Sequence, residues 1–199
     1  MKRVFGILLL ILLTANLGFA QFKIGPKVGF NLGRLTENMD SVKSMIRGGF
    51  QIGAFVRIGN KIYLQPEIYY ATQGGIFQGD KKLQWKQTVK LSSIDVPVLV
   101  GFKFIDMKLV NLRVMLGPVA SVLVNKKITL GVNSVAEPLK TSNINDLNWA
   151  FQVGAGVDIS KLTFDLRYQV GLNDMIKNVN GYKFSTRNDV WVFSLGFKI

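Results

Sequence analysis

The sequence predicts an all-β fold, an eight-stranded antiparallel up-and-down transmembrane β-barrel, and three observations lead to it. Apolar side chains recur at every second position along most of the chain, which is the period of a strand with one apolar face. Short turns alternate with long polar connections. Most of the alternating segments contain about ten residues, the length that a tilted strand needs to cross a membrane.

The first segment shows the alternation clearly. Its even positions from Phe22 to Leu32 are apolar, whereas its odd positions carry lysine, glycine or asparagine. The predicted strands cover residues 22–32, 50–58, 62–70, 94–104, 110–116, 148–159, 162–171 and 191–199. An even number of strands returns both chain ends to the same side of a barrel.

The connections between these strands are of two kinds. Tight turns are predicted at Gly59–Lys61, at 105–108 and at Ser160–Lys161. The four long connections are rich in Gly, Asn, Ser, Thr and Lys and cover roughly residues 34–48, 72–87, 125–146 and 173–188. In outer-membrane barrels the short turns and the chain ends face the periplasm, and we expect the same here.

The direction of the apolar face separates a membrane barrel from a soluble β-sandwich, which would bury that face. The polar face is rich in glycine, which suits a narrow lumen. Aromatic residues fall at both predicted rims, with Trp85, Trp149 and Trp191 beside the long connections and Phe22, Phe104 and Phe197 at the other end. Such placement is typical of two interfacial girdles, so the sequence favours lipid around the barrel. The soluble sandwich is the alternative.

Four prolines interrupt the pattern. Pro26, Pro66, Pro97 and Pro118 lie inside predicted strands, where each removes a backbone donor. A closed barrel has no edge strand to accommodate them. We therefore expect bulges or short gaps in the hydrogen-bond ladder at these positions.

The N-terminal residues 1–20 have the features of an export signal. Lys2 and Arg3 precede an apolar run over residues 4–13, and Gly18-Phe19-Ala20 places small residues where a signal peptidase cleaves. Cleavage after Ala20 would leave a barrel domain of residues 21–199. The alternative is an uncleaved anchor, although its length falls at the short end of what spans a bilayer. Export and strand layout together predict the outer membrane of a Gram-negative bacterium.

Composition excludes several kinds of chemistry. The chain has neither cysteine nor histidine, which excludes disulfides and thiolate sites and removes the commonest general base and metal ligand. We therefore predict no enzyme activity, no cofactor and no metal. The net charge is +13, or +11 without Lys2 and Arg3, yet no basic helix face is evident, so we predict no nucleic-acid partner.

Charges of both signs occupy the inward positions of the predicted strands. Isolated charges in a narrow lumen are costly, so we expect them to pair and to fill it. The predicted lumen charge network consists of Arg57, Glu67, Asp95, Lys103, Arg113, Asp158, Asp165 and Arg167. Lys23, Lys27 and Lys198 also occupy inward positions. The alternative to a plug is a selective ion or proton path.

The long connections are mildly basic. Lys81, Lys82, Lys126 and Lys127 would lie on the outer rim, where they could contact lipopolysaccharide phosphates. Simple solvation explains them equally well.

Several motifs resemble a known family. They are Leu64–Tyr70 (LQPEIYY), Ile94–Val100 (IDVPVLV), Leu116–Pro118 (LGP), Gly154–Asp158 (GAGVD) and Asp165–Tyr168 (DLRY). In this order they resemble the small outer-membrane β-barrel proteins common in Bacteroidetes, often called PorT-like. The resemblance implies an eight-stranded barrel and a link to protein secretion and gliding machinery.

The C-terminus departs from the usual barrel ending. Barrels commonly end in an aromatic residue, whereas this chain ends in Ile199, with Phe197 two positions before it.

We expect a monomeric, non-enzymatic membrane anchor or interaction module. Its expected partners are outer-membrane lipid, lipopolysaccharide and other envelope or secretion proteins. An accessory role in secretion follows from the family resemblance, and a narrow ion or small-solute channel is the alternative.

Overall fold

The computed structural model describes residues 22–36, 42–44, 47–79, 86–107, 109–130, 146–173 and 187–199. The predicted signal peptide lies outside these residues. The strands are β1 (Phe22–Thr36), β2 (Val42–Ser44), β3 (Arg47–Gly59), β4 (Ile62–Gly79), β5 (Lys86–Asp106), β6 (Val110–Leu130), β7 (Leu147–Ile159), β8 (Leu162–Gly171) and β9 (Arg187–Phe197). The described residues contain no helical segment that could span a bilayer.

Eight of these strands form a closed antiparallel barrel. Each pairs with its neighbours in chain order, and β1 closes the ring by pairing with both β3 and β9, while the short β2 pairs only with β4. A lateral row of positions that starts at Lys23 crosses every strand and returns to β1 at Gly33, ten residues farther along. This stagger tilts the strands and leaves an interior that side chains can fill. The predicted fold class is confirmed.

The strands β4, β5 and β6 are much longer than predicted. Residues 72–79, 86–92 and 125–130, which we name the β4–β6 extension, continue the ladder, for example through Thr72↔Ser92 and Gln78↔Lys86. The prediction of loops over 72–87 and 125–146 was therefore wrong for these residues. These residues lack the regular apolar alternation that marks a lipid-facing strand, although the hydrogen bonding of the ladder continues through them.

The tight turns lie where they were predicted. Gly59 adopts a φ of 120°, a conformation that glycine accommodates without steric cost, just before the turn into β4. Ser160, in the turn between β7 and β8, has a φ of 53°. We call this end of the barrel the short-turn end and the opposite one the long-loop end.

The two faces of the wall follow the predicted alternation. Side chains at apolar positions point outward, as at Ile52, which is 62% exposed, whereas Arg57 and Arg113 point inward and are buried. Exposed aromatic side chains mark both rims, with Trp149 and Trp191 at the long-loop end and Phe22, Phe104 and Phe197 at the short-turn end. Trp85 lies outside the described residues.

Three of the four prolines lie beside gaps in the hydrogen-bond ladder, whereas the β1–β3 ladder runs through Pro26↔Ala54 without a break. Pairing of β4 with β5 runs to Pro66↔Val98 and resumes at Tyr69↔Asp95 in the same register. The β5–β6 ladder skips two positions in the same way beside Pro97 and Pro118. The register shifts in that ladder lie elsewhere, at Ser92/Ser93 and Lys103/Ile105. Missing proline N–H groups account for the gaps.

Candidate functional site

Glu67 is the centre of a cluster of charged side chains in the short-turn half of the lumen. Its carboxylate accepts hydrogen bonds from Lys27 Nζ at 2.7 Å, Arg167 Nη1 at 2.6 Å, Gln65 Nε2 at 2.6 Å and the Tyr69 hydroxyl at 2.5 Å. These groups project from β1, β4 and β8, which lie around the lumen. Alternation along β4 brings Gln65, Glu67 and Tyr69 onto the same inward face.

A second carboxylate, that of Asp165 on β8, extends the cluster. It forms ion pairs with Lys27 and Arg113, and Arg167 Nη2 lies 3.7 Å from its Oδ2. Lys27 therefore contacts both Glu67 and Asp165. One lysine from β1 thus joins acidic groups from β4 and β8.

Asp158 of β7 completes the network toward the short-turn end. Its carboxylate accepts from Arg57 Nη1 at 2.7 Å and Arg113 Nε at 3.1 Å, and Lys198 Nζ lies at 3.2 Å. Arg113 bridges Asp158 and Asp165, so the ion pairs form one continuous network. Its members are Lys27, Arg57, Glu67, Arg113, Asp158, Asp165, Arg167 and Lys198.

Local sequence makes room for these long side chains. Gly156 of β7 lies directly beneath the Arg113–Asp165 pair, and a Cβ at that position would lie 2.7 Å from Arg113 Cζ. A side chain there would displace the ion pair. The guanidinium of Arg57 lies over the Tyr63 ring, 4.8 Å from its centroid, an arrangement that favours the cation.

The network carries an excess of positive charge. Five cations, Lys27, Arg57, Arg113, Arg167 and Lys198, face three carboxylates whose side chains have no exposed surface. Mutual pairing and additional hydrogen bonds offset the cost of burying such groups. The arrangement fills the lumen with ordered side chains in its short-turn half.

The long-loop half of the lumen is different. Gln152 donates to Gln169 at 2.7 Å, and the surrounding inward side chains are mostly neutral. Asp95 lies here, hydrogen-bonded by Ser93 and Ser121, while its Oδ1 has no hydrogen-bond partner among the described residues.

Two residues of the predicted set stand apart from the ion pairs. Asp95 is level with Ser121, eight residues beyond Arg113 along β6, so it is too far toward the long-loop end to meet the cations. Lys103 lies at the short-turn end, where its Nζ contacts Asn60 Oδ1 at 3.1 Å and Asp106 Oδ1 at 3.7 Å. The structure brings the other six predicted residues together.

The sequence-based set omitted residues that the network uses. Lys27 joins two carboxylates, and Gln65, Tyr69 and Thr163 supply neutral hydrogen-bonding groups. Their inward positions were readable from the alternation. Their partners were not, because strand stagger decides which inward residues meet.

The remaining predicted residues lie at the long-loop end. Lys81 and Lys82 are outside the described residues. Lys126 and Lys127 belong to the β6 part of the β4–β6 extension and pair with Leu91 and Lys90 of β5. Their predicted contact with lipopolysaccharide stays a prediction.

No catalytic arrangement is evident in the described part of the chain. Asp158 and Asp165 each contact two or more cations, which leaves neither carboxylate positioned as a free general base. Among the described residues, no group of three or more acidic side chains could hold a metal ion.

Comparison with solved structures places the fold among outer membrane barrels. OprG from Pseudomonas aeruginosa matches with a TM-score of 0.55 and 13% identity over 89% of this chain and 95% of that one. Neisserial surface protein A matches with a TM-score of 0.53 and 15% identity, covering 90% and 99%. Ail of Yersinia pestis matches with a TM-score of 0.50 and 11% identity over the same shares. At such identities the likeness concerns the fold alone.

Comparison by sequence gives the family. No curated protein matches the chain. Residues 19–177, which include β1 through β8, match the family described as "Outer membrane protein beta-barrel domain". The chain is therefore an outer membrane β-barrel protein and belongs to the outer membrane protein beta-barrel domain family.

Proposed function

We propose that this protein is a non-enzymatic membrane anchor that presents an interaction surface outside the outer membrane and does not conduct ions. The lumen charge network carries the proposal. Buried ion pairs join β1, β3, β4, β6, β7 and β8 across the short-turn half of the barrel. A lumen filled in this way serves to stabilise a scaffold rather than to pass solutes.

The β4–β6 extension supports the interaction role. The strands β4, β5 and β6 contain 18, 21 and 21 residues, whereas β8 and β9 contain 10 and 11. About 9–11 residues cross a membrane, so roughly ten residues of β5 and β6 project beyond it. A projecting sheet offers backbone and side-chain surface to a partner.

Absence of enzyme activity is part of the proposal. The whole sequence lacks histidine and cysteine. The two inward aspartates that could cooperate as acid and base, Asp158 and Asp165, are both held by Arg113.

The finer role that we propose is that of a PorT-like accessory of a secretion system. Support comes from the motifs that resemble that family. Three of them, Leu64–Tyr70, Gly154–Asp158 and Asp165–Tyr168, contain the network residues Glu67, Asp158, Asp165 and Arg167. The motif residues thus build the scaffold on which the β4–β6 extension stands. In this role the protein is a monomer exported by cleavage after Ala20, with Lys81, Lys82, Lys126 and Lys127 meeting lipopolysaccharide.

Site-specific photo-crosslinking in intact cells tests the interaction role. A photoreactive residue at Thr88 or Ile128 of the β4–β6 extension should capture the same envelope protein reproducibly. The matched control is the lipid-facing Ile52, which should capture no protein. A secretion component captured only from the extension supports the accessory role. Capture from Ile52 alone, or from none of the three positions, contradicts the interaction module.

Export is tested by mass spectrometry of the membrane-extracted protein. We expect the mature chain to begin at Gln21. An intact Met1 would establish the uncleaved anchor instead.

A further inference from the structure

Positive charge is concentrated at the short-turn end of the lumen. Lys23, Arg57, Lys103 and Lys198, which we name the basic mouth, all project inward near that end. Lys23 is the lateral neighbour of Arg57 and lies within electrostatic range of both Lys103 and Lys198. The side chains of Arg57, Lys103 and Lys198 are at most 7% exposed.

Two side-chain carboxylates among the described residues, those of Asp158 and Asp106, form ion pairs with three of the four cations of the basic mouth. Asp158 is shared by Arg57, Lys198 and Arg113. Asp106 lies 3.7 Å from Lys103 and is 40% exposed, so it compensates that charge only weakly.

Two donors of the mouth lack partners among the described residues. Lys23 forms no ion pair there, and the buried Nη2 of Arg57 has no hydrogen-bond partner. A buried guanidinium N–H without an acceptor is costly, and the cost disappears when an acceptor binds.

We propose that the basic mouth binds a phosphate-type oxyanion from the periplasmic side. Three ammonium groups and one guanidinium offer many N–H donors at one end of the lumen, and a tetrahedral oxyanion has several oxygens to accept from them. The short-turn end faces the periplasm in barrels of this kind, so the anion comes from free phosphate or from a lipid headgroup. This site is separate from the interaction surface proposed above and does not depend on it.

Thermal unfolding of the full barrel in maltoside micelles, which hold no phosphate, tests the proposal. Inorganic phosphate should raise the unfolding midpoint of the wild-type protein saturably, beyond the effect of sodium chloride at equal ionic strength. Lys23→Gln should raise the midpoint without phosphate, because it removes like-charge repulsion, and should reduce the phosphate shift by at least half. Lys103→Gln should reduce that shift as well.

Lys161→Gln is the matched control. Lys161 is exposed in the turn after β7, with its Nζ 5.8 Å from the outward Phe197 ring, so its loss should leave the phosphate shift unchanged. A second arm replaces inorganic phosphate by phosphatidylglycerol in the micelles. Stabilisation there that is lost in Lys23→Gln identifies a lipid headgroup as the source, and stabilisation by inorganic phosphate alone identifies a soluble anion. No saturable effect in either arm, or equal shifts in Lys23→Gln and Lys161→Gln, would overturn the proposal.

Discussion

The short-turn half of the lumen holds eight charged side chains in one network of ion pairs, whereas the long-loop half holds mostly neutral side chains together with the carboxyl group of Asp95, which has no cation partner among the described residues. Both halves are enclosed by the same eight strands, and both bury polar groups. In the first half the polar groups depend on one another for charge compensation. In the second, neutral groups bond mainly to one another, as between Gln152 and Gln169, and Gln152 Oε1 also accepts a hydrogen bond from Arg167 Nη1 at 3.2 Å at the boundary between the halves.

This difference indicates which half of the lumen contributes more to the stability of the barrel and to the closure of its lumen. Removing one member of a coupled buried network leaves its partners charged and uncompensated. Removing a neutral group from an isolated hydrogen bond costs far less. The same kind of substitution should therefore have very different effects in the two halves.

The largest effect is expected for Glu67→Gln. The substitution keeps the size of the side chain but leaves Lys27 and Arg167 without this counter-charge. It should lower the free energy of unfolding by about 3–5 kcal/mol. Urea-induced unfolding from lipid vesicles, followed by tryptophan fluorescence, measures the change.

Asp95→Asn is the matched acid-to-amide control in the long-loop half. Asp95 has no cation partner among the described residues, so losing its charge should cost less than about 1 kcal/mol or stabilise the barrel. If Asp95→Asn proves as destabilising as Glu67→Gln, the distinction between the two halves is wrong.

The sequence predicted the strands correctly where one of their faces contacts lipid. Strands such as β8, predicted at 162–171 and found at Leu162–Gly171, face lipid on one side and lumen on the other, so alternation marks them from end to end. The sequence of the β4–β6 extension lacks this regular alternation, and its strands were therefore not predicted.

The sequence predicted which charged side chains point into the lumen, but it did not predict which of them form ion pairs. Parity along each strand placed Glu67 and Arg167 inward, but the two residues are 100 positions apart and meet only because of the barrel stagger. The same stagger carries Asp95 away from the cations with which it was grouped. Local pattern determines the face of a residue, whereas its height in the lumen is a property of the closed sheet.

A smaller effect is expected for Gly156→Ala. Its Cβ would lie 2.7 Å from Arg113 Cζ and would displace the Arg113–Asp165 pair, which should cost about 1–3 kcal/mol in the same unfolding assay. Gly48→Ala is the control, because a Cβ there meets no atom closer than 3.5 Å. Its effect should remain within about 0.5 kcal/mol. Equal losses of unfolding free energy in Gly156→Ala and Gly48→Ala would show that the Arg113–Asp165 pair can move aside without cost.

The smallest effect is expected on the outer wall of the long-loop half. The rings of Trp191 and Tyr168 lie 4.8 Å apart, so Trp191→Leu should lose about 0.5–1.5 kcal/mol of ring contact. A double-mutant cycle with Tyr168→Leu isolates that term. A coupling energy of zero would show that the Trp191 and Tyr168 rings do not stabilise each other.

Electrical recording in planar lipid bilayers tests the central claim most directly, because the claim is that the ion pairs of the short-turn half close the lumen. The wild-type barrel should show no steady unitary conductance at any applied voltage below bilayer breakdown, and Asp95→Asn in the long-loop half should leave it equally silent. Reproducible, ion-selective steps in the wild-type protein, altered when Glu67 or Arg113 is neutralised, would contradict the plug and make the barrel a narrow channel.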